Sequence, residues 1–564
     1  MSKRCHIDDP PVLPPPKRPR TIPRDHIDQI SSLSDELLIH ILSFLPIPSL
    51  LVCQQLSRRF HALAGDSELW KKQYYSRWVR PRARRLANAR RAFFSRPEIE
   101  YSPRVSTWLD HGHLAKEGIA TNWKRQCRLK HNWSRGACRV TEIEFPQPPR
   151  RQMLVTFCAG IVFTADSDHG LRAWPAEKPE HCLARIALAN PPSPSFPAPT
   201  AIAAATGGPQ QSLVDVTVGF EDGRFNVFTL DTTTLRLGIR FSCVECAGAA
   251  ITTMASCSPF LLLVSEHKVL TLYETKSGMD GVGGLLAPRL LTSLKADSIL
   301  EPISLSVRAT GPKIIASIVY SFYHIGCGWS LGIQELQFGL DGQQLSSRLA
   351  TTVDCHYATV SPGSRSRSKM EFRTTSYATG PGGVQNTTPH EPSISHHEPP
   401  TSVSYSHPYL LTSHADNTLT VYLVVSTSTS LSVKGCQRLW GHTSSVSAVQ
   451  VSDRGKAVSV SSRGDDIRIW ELESLVSSLG GQKALRDGNS IRISPENRLG
   501  RRHDSLGMVL ESSHDETNGA RSSLVDIPHR LARMRGCIGF DDERVLLLRE
   551  KEVGTQMLEF YDFT

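Results

Sequence analysis

The chain has 564 residues, of which 39% are hydrophobic and 21% charged, with 36 Pro, 39 Gly, 13 Cys and a formal net charge of +10. A length like this predicts two to four domains, or one large domain with appendages, and the Pro and Gly content predicts loop or linker segments. The odd, scattered cysteines argue against a secreted disulfide framework; with no signal-type apolar run at the start and no stretch of about 18 apolar residues, the expectation is a soluble intracellular protein.

The charge is uneven. Residues 1–150 hold 27 Lys+Arg and 14 Asp+Glu, a net +13, so residues 151–564 hold 37 and 40, a net −3. Residues 1–26 form a basic, Pro-rich tail with almost nothing to bury, which predicts disorder. Within it Lys3-Arg4 and Lys17-Arg18-Pro19-Arg20 resemble a bipartite nuclear-import signal, with Lys3, Arg4, Lys17, Arg18 and Arg20 as its cations. A solvated tail is the plainer alternative. The expected location is nucleus and/or cytoplasm.

Residues 28–75 read as a compact helical module. Ser34 is a candidate N-cap, and Asp35 and Glu36 suit the positive end of the helix dipole. Leu37, Leu38, Ile41, Leu42 and Leu45 follow at helical spacing, and Pro46 and Pro48 stop the helix. A second apolar series runs Leu50, Leu51, Cys53, Leu56, Phe60 and Leu63, with Gly65 as its break. Asp66 or Ser67 can cap a last helix carrying Leu69 and Trp70.

The order Leu33-Ser34-Asp35-Glu36-Leu37-Leu38, Ile41-Leu42, Leu45-Pro46, Leu56-Ser57-Arg58-Arg59-Phe60 and Leu69-Trp70 resembles an F-box, with Ser34 where the family usually has Pro. The resemblance implies docking on the Skp adaptor and, through it, cullin, with Leu33, Leu37, Leu38, Ile41, Leu42, Leu45 and Pro46 at or near the interface. A bundle whose stripe is only its own core is the rival reading.

Residues 76–134 form a basic helical connector. Arg77, Arg80, Arg82, Arg84, Arg85, Arg90, Arg91 and Arg96 alternate with Trp78, Phe93 and Phe94; Trp108, Trp123 and Trp133 are expected to pin the connector to the rigid parts. Such a run can track a nucleic-acid backbone, but no recognition motif accompanies it, so nucleic acid is an unlikely partner.

From residue 135 the period changes to that of strands. Seven segments end on an aromatic residue: Trp174, Phe228, Tyr273, Phe338, Tyr422, Trp470 and Tyr561. Their intervals approach a four-stranded blade once two polar insertions are removed, 361–404 and about 477–523. In 361–404, 26 of 44 residues are Ser, Thr, Gly, Pro or Asn, and disorder is expected there.

Trp440-Gly441-His442 through Ile467-Arg468-Ile469-Trp470-Glu471 resembles one blade of a WD-repeat propeller. Gly464 stands where the family's turn Asp normally sits, with Asp465 one place later, which counts against an Asp–His–Ser/Thr–Trp hydrogen-bond network. The expected fold is therefore a small all-α F-box module followed by an all-β propeller of seven blades over 135–564. Cys138 to Phe145 is expected to close the last blade, because the chain ends before its fourth strand. A β-sandwich, or two smaller β-domains, is the rival.

No nucleotide, hydrolase or metalloprotease motif is present, so the expectation is a non-catalytic protein with no cofactor. Cys243-Val244-Glu245-Cys246 lacks the second half of a zinc site. His390, His396 and His397 fall in the insertion expected to be disordered. Ser361-Pro362, Thr388-Pro389 and Ser494-Pro495 are candidate phosphorylation dipeptides. The resemblances together imply a substrate-recognition subunit of a Skp–cullin–F-box ubiquitin ligase whose propeller binds a protein substrate, with no membrane partner. A scaffold acting without ubiquitylation and a nucleic-acid-binding propeller are the alternatives.

Overall fold

The computed structural model describes residues 30, 32–81, 121–146, 153–188, 197–206, 212–243, 249–275, 288–295, 299–311, 313–354, 394–427, 429–464, 466–472, 490–495, 538–552 and 555–564. The basic tail, Arg82 to Arg96 and Trp108 lie outside them. The chain divides into two compact units, Met1–Ser76 and Arg77–Thr564.

The first unit holds four short helices: α1 (Asp35–Leu42), α2 (Ile47–Cys53), α3 (Arg58–Ala64) and α4 (Ser67–Tyr74). Pro46 is the N-cap of α2, and Pro48 sits in its first turn, where a missing N–H costs nothing. The apolar series expected as one run is split between α2 and α3 by the turn at residues 54–56. Ser57 restarts the chain by accepting a hydrogen bond from the Phe60 amide (3.2 Å). Asp66 caps α4, accepting from the amides of Glu68 (2.8 Å) and Leu69 (3.4 Å). Leu38, Leu42, Leu50, Leu63, Ala64 and Leu69 form the core. Trp70 Nε1 and Gln54 Nε2 both donate to the Ala64 carbonyl (2.8 and 2.9 Å), satisfying the end of α3.

In the second unit the chain is a seven-bladed β-propeller. Six sheets have four strands in sequence order, at residues 154–186, 199–243, 251–295, 300–351, 402–439 and 446–492; these are blades one to six. Blade seven takes three strands from the C-terminus, Ile538–Phe540, Arg544–Glu552 and Thr555–Asp562, and its fourth from Ala137–Pro146, beyond which the two-residue edge Ser494–Pro495 pairs parallel with Ala137 and Cys138. The fourth strand runs antiparallel to the last one, from Arg139 opposite Asp562 to Pro146 opposite Thr555. The first strands of successive blades touch one another all the way round, so the ring closes. All seven aromatic ends lie on third strands. Buried apolar clusters fill the seams between blades, one of them joining blades three and four through Leu262, Leu272, Ile314, Ala316 and Phe338.

A helix, α5 (Trp123–Arg135), leads into the closing strand. Asn122 caps it by accepting from the Arg125 amide (3.0 Å). Gly136 ends it in the left-handed region at φ 68°, and a Cβ there would lie 2.1 Å from the Arg492 carbonyl oxygen, so only glycine fits. Trp123, Cys127, Leu129 and Trp133 are its buried residues. The connector expected over 76–134 therefore includes a helix integral to the ring.

Both expected insertions need correcting, the first at its C-terminal end and the second in its interior. Ser402–Ser406 is the inner strand of blade five, with Val403 and Tyr405 buried by alternation, although its Ser-rich composition reads as linker. His396, expected in disorder, is 6% exposed, bridges to Gly328 and stacks on His414 at 3.8 Å between centroids. Its neighbour His397 is exposed, and His390 lies outside the described residues. In the second insertion, Ser490–Arg492 is the outer strand of blade six.

Candidate functional site

The candidate adaptor-docking residues sit on and around α1. Arg59 fixes the start of this helix: its guanidinium donates to Asp35 Oδ1 through Nε (2.9 Å) and Nη2 (2.6 Å), and to the Leu33 carbonyl (2.6 Å). Gln73 Nε2 holds the other end by donating to the Leu45 carbonyl (2.8 Å). The helix is thus held by side chains of α3 and α4.

The seven candidates divide by environment. Leu38 and Leu42 are 1% and 3% exposed and belong to the module's own core, while Leu33 and Leu45 are half-buried against it. Leu37 is 53% exposed, Ile41 is 47% exposed, and Pro46 is also exposed. The outer residues continue to Phe44, giving 37, 41 and 44, one stripe at helical spacing. Phe44 is 72% exposed; Leu51, Val52 and Leu56 are also exposed. Phe44, Val52 and Leu56 were missed by sequence reasoning as docking candidates, and so was Leu51. The signal was present: α1 is apolar on two stripes, and a helix with one core needs only one. The import-signal residues Lys3, Arg4, Lys17, Arg18 and Arg20 lie outside the described residues.

On the ring, blade six brings together the four side chains of the network that Gly464 argued against, with the Asp–His link present as a close charge contact and the others as hydrogen bonds. His442 Nδ1 lies 3.1 Å from Asp466 Oδ2, His442 Nε2 is 2.6 Å from Ser459 Oγ, and Trp470 Nε1 donates to the same hydroxyl (2.8 Å). The turn carboxylate is Asp466; Gly464, at φ 68°, only shapes the loop. Burial pushes the Asp466 carboxyl up, but hydrogen bonds and charge from His442 and Arg468 outweigh it and hold the group at about 2. Blade one keeps a fragment of the pattern, with Trp174 Nε1 donating to Thr164 Oγ1 (3.0 Å). These networks are consumed in holding strands together. Among the described residues no cluster of His, Cys, Asp and Glu could hold a metal ion. No described helix is long and apolar enough to cross a membrane.

A four-helix module with an outward apolar stripe, followed by a seven-bladed ring, defines an F-box propeller protein. Residues 30–76 match the F-box-like family, and residues 138–564 match the family described as F-box protein pof12 beta-propeller. The chain belongs to that pof12 propeller family. It is 23% identical over 469 residues to F-box protein pof12 of Schizosaccharomyces pombe, covering 80% of this chain and 87% of that protein. Over 50 residues it is 44% identical to F-box protein dre-1 of Caenorhabditis elegans, which covers 9% of this chain and 5% of that one. Among solved structures, the complex of KlAtg21 with the coiled-coil of AgAtg16 aligns over 73% of this chain and 97% of that chain at 10% identity and a TM-score of 0.37. F-box domains in general bind Skp1 adaptors, and proteins that join an F-box to a propeller are typically non-catalytic receptors of the Skp–cullin–F-box type.

Proposed function

We propose that this protein is the substrate-recognition subunit of a Skp–cullin–F-box ubiquitin ligase. The observation that carries the reading is the stripe Leu37, Ile41 and Phe44, exposed on α1 and the turn that follows it, while the opposite stripe, Leu38 and Leu42, already fills the core. An apolar stripe left in water beside a completed core favours a protein partner. The F-box match supports a Skp adaptor as that partner, and in this reading the adaptor carries cullin.

In this reading the propeller binds a protein substrate, and the chain catalyses no bond change. It acts by holding the substrate near a ubiquitin-conjugating enzyme, which raises their effective concentration. The basic clusters Lys3-Arg4 and Lys17-Arg18-Pro19-Arg20 would serve nuclear import.

The test is co-purification of the full chain with adaptor and cullin. Leu37→Glu with Ile41→Glu should remove both partners while the ring stays folded. Undiminished adaptor recovery with the double variant would refute the reading, and adaptor without cullin would favour a scaffold that does not ubiquitylate.

A further inference from the structure

Blades three and four meet over a cavity of about 180 Å³. Its floor is apolar: Val264 and Leu270 come from blade three, and Ile303, Ile318 and Leu336 from blade four. All five belong to the cluster that joins the two blades. The mouth differs. Lys268 and Lys295 lie on the blade-three side, with Gln344 and Ser347 on the blade-four side; Lys268 is half-buried and the other three are exposed. None of the described residues lining the cavity is acidic.

Two further observations point outward from this cleft. Lys268 adopts φ 57°, a left-handed conformation that a long side chain takes up only with strain. Strain of this kind persists where surrounding structure enforces it and is concentrated at binding and switch sites. In addition, Leu349 lies opposite Gln334 in the sheet and is 59% exposed. Gln334 lines the cavity, so Leu349 extends the apolar surface on that side beyond the cavity itself. Engineered cavities of about 150 Å³ take one benzene ring, so this one has room for a single Leu, Ile or Phe side chain.

We propose that the cleft between blades three and four docks a short acidic segment of a protein partner, which inserts one Leu, Ile or Phe side chain and sets flanking Asp or Glu residues against Lys268 and Lys295. The apolar floor supplies affinity. The two ammonium groups set register and hasten encounter, as charges at a rim do. The apolar shoulder at Leu349 favours a chain over a small molecule, because its footprint runs past one side chain. This site concerns what the ring binds, so it stands whether or not the helical module recruits an adaptor.

The experiment selects displayed random heptapeptides on the purified full-length protein. It counter-screens against Lys268→Glu with Lys295→Glu, and against Ser347→Trp, which fills the mouth from an exposed position. Thermal unfolding of both variants should match the parent. The expected result is enrichment of peptides carrying an aliphatic or phenyl side chain beside Asp or Glu. Their binding should weaken about tenfold or more in both variants, as the loss of about 1.4 kcal/mol would give. Enriched peptides that ignore both variants, or that lack the acidic–apolar pattern, would overturn the proposal, as would the absence of enrichment. Binding of decanoate lost in the same variants, without any enriched peptide, would assign the cleft to small amphiphiles instead. Self-association lost in those variants would assign it to a second copy of the chain.

Discussion

The indole of Trp133 lies flat on the phenyl ring of Phe563, with centroids 4.0 Å apart and planes 14° from parallel. The two residues come from α5 and the penultimate position of the chain. Trp133 Nε1 also donates to the Asp542 carbonyl (2.7 Å), and Asn132 Nδ2 donates to the Phe563 carbonyl (2.8 Å). Lys456 Nζ of blade six sits 3.6 Å from the Trp133 ring centroid. The helix thus ties together blade six and the seam where N- and C-terminal strands close the ring.

Trp133→Ala should therefore destabilise the ring by about 3–5 kcal/mol, the usual range for removing a buried Trp. Trp133→Phe keeps a stacking ring but loses the bond to Asp542, and should cost about 1 kcal/mol. Urea unfolding of the full chain measures both. Hydrogen exchange at Leu558 and Phe560, which face the closing strand, should accelerate most in the alanine variant.

Leu37 and Leu42 should behave differently although both are leucines of α1. Leu37→Glu acts on the exposed stripe and should weaken adaptor binding by about 100-fold or more, by placing a carboxylate in an apolar contact. The helical module should still fold. Leu42→Ala removes core volume and should cost about 2–5 kcal/mol of module stability, with adaptor binding lost only through unfolding. Circular dichroism of the full chain beside adaptor pull-down separates the two effects.

These contrasts mark what was legible in the sequence. The seven aromatic ends were readable because each sits on a third strand, where alternation fixes which side chains enter the seam between blades. Closure was readable because Cys138 to Phe145 reads as a strand just ahead of the first blade, and it pairs with the last strand of the ring. Leu37 and Leu38 were not separable: helical periodicity puts both on an apolar surface, and only packing against α3 decides which stripe is core. His396 was misplaced because Ser, Thr and Pro around it count as linker by composition, whereas its bridge to Gly328 and its stacking on His414 place it against the ring, just ahead of the strand Ser402–Ser406. Asp466 was missed because the turn positions the carboxylate two places after Gly464, a matter of loop conformation rather than spacing. The cleft between blades three and four had no sequence signal, since its lining comes from seven strands and their connecting segments.

Glu335 is fully buried and bridges blades four and five. It accepts from Arg308 (2.8 Å), Arg348 (2.9 Å) and the Ser426 hydroxyl (2.8 Å). Glu335→Gln leaves two largely buried guanidinium groups without their counter-charge. Breaking a buried ionic cluster in this way costs about 3–5 kcal/mol. The urea midpoint of the full chain should fall accordingly. A variant as stable as the parent would mean that water reaches both arginines.

His414 should make stability depend on pH. It stacks on His396 and its Nε2 is 2.9 Å from Thr412 Oγ1. Burial pushes its imidazole down to about 4; Asp416 opposes the shift and Arg438 adds to it. An unfolded histidine titrates near about 6.5. Between these values the unfolded chain binds a proton that the folded chain refuses, so stability is complete above about 6.5 and falls as pH drops toward 4. The full loss is on the order of 3 kcal/mol at 1.36 kcal/mol per unit. Urea midpoints at pH 7.5 and 5 should therefore differ in the parent, and the difference should shrink in His414→Phe, which keeps a ring against His396 but takes no proton. Asp466, held at about 2, does not titrate in that window. An unchanged slope in the phenylalanine variant would place the acid sensitivity elsewhere in the ring.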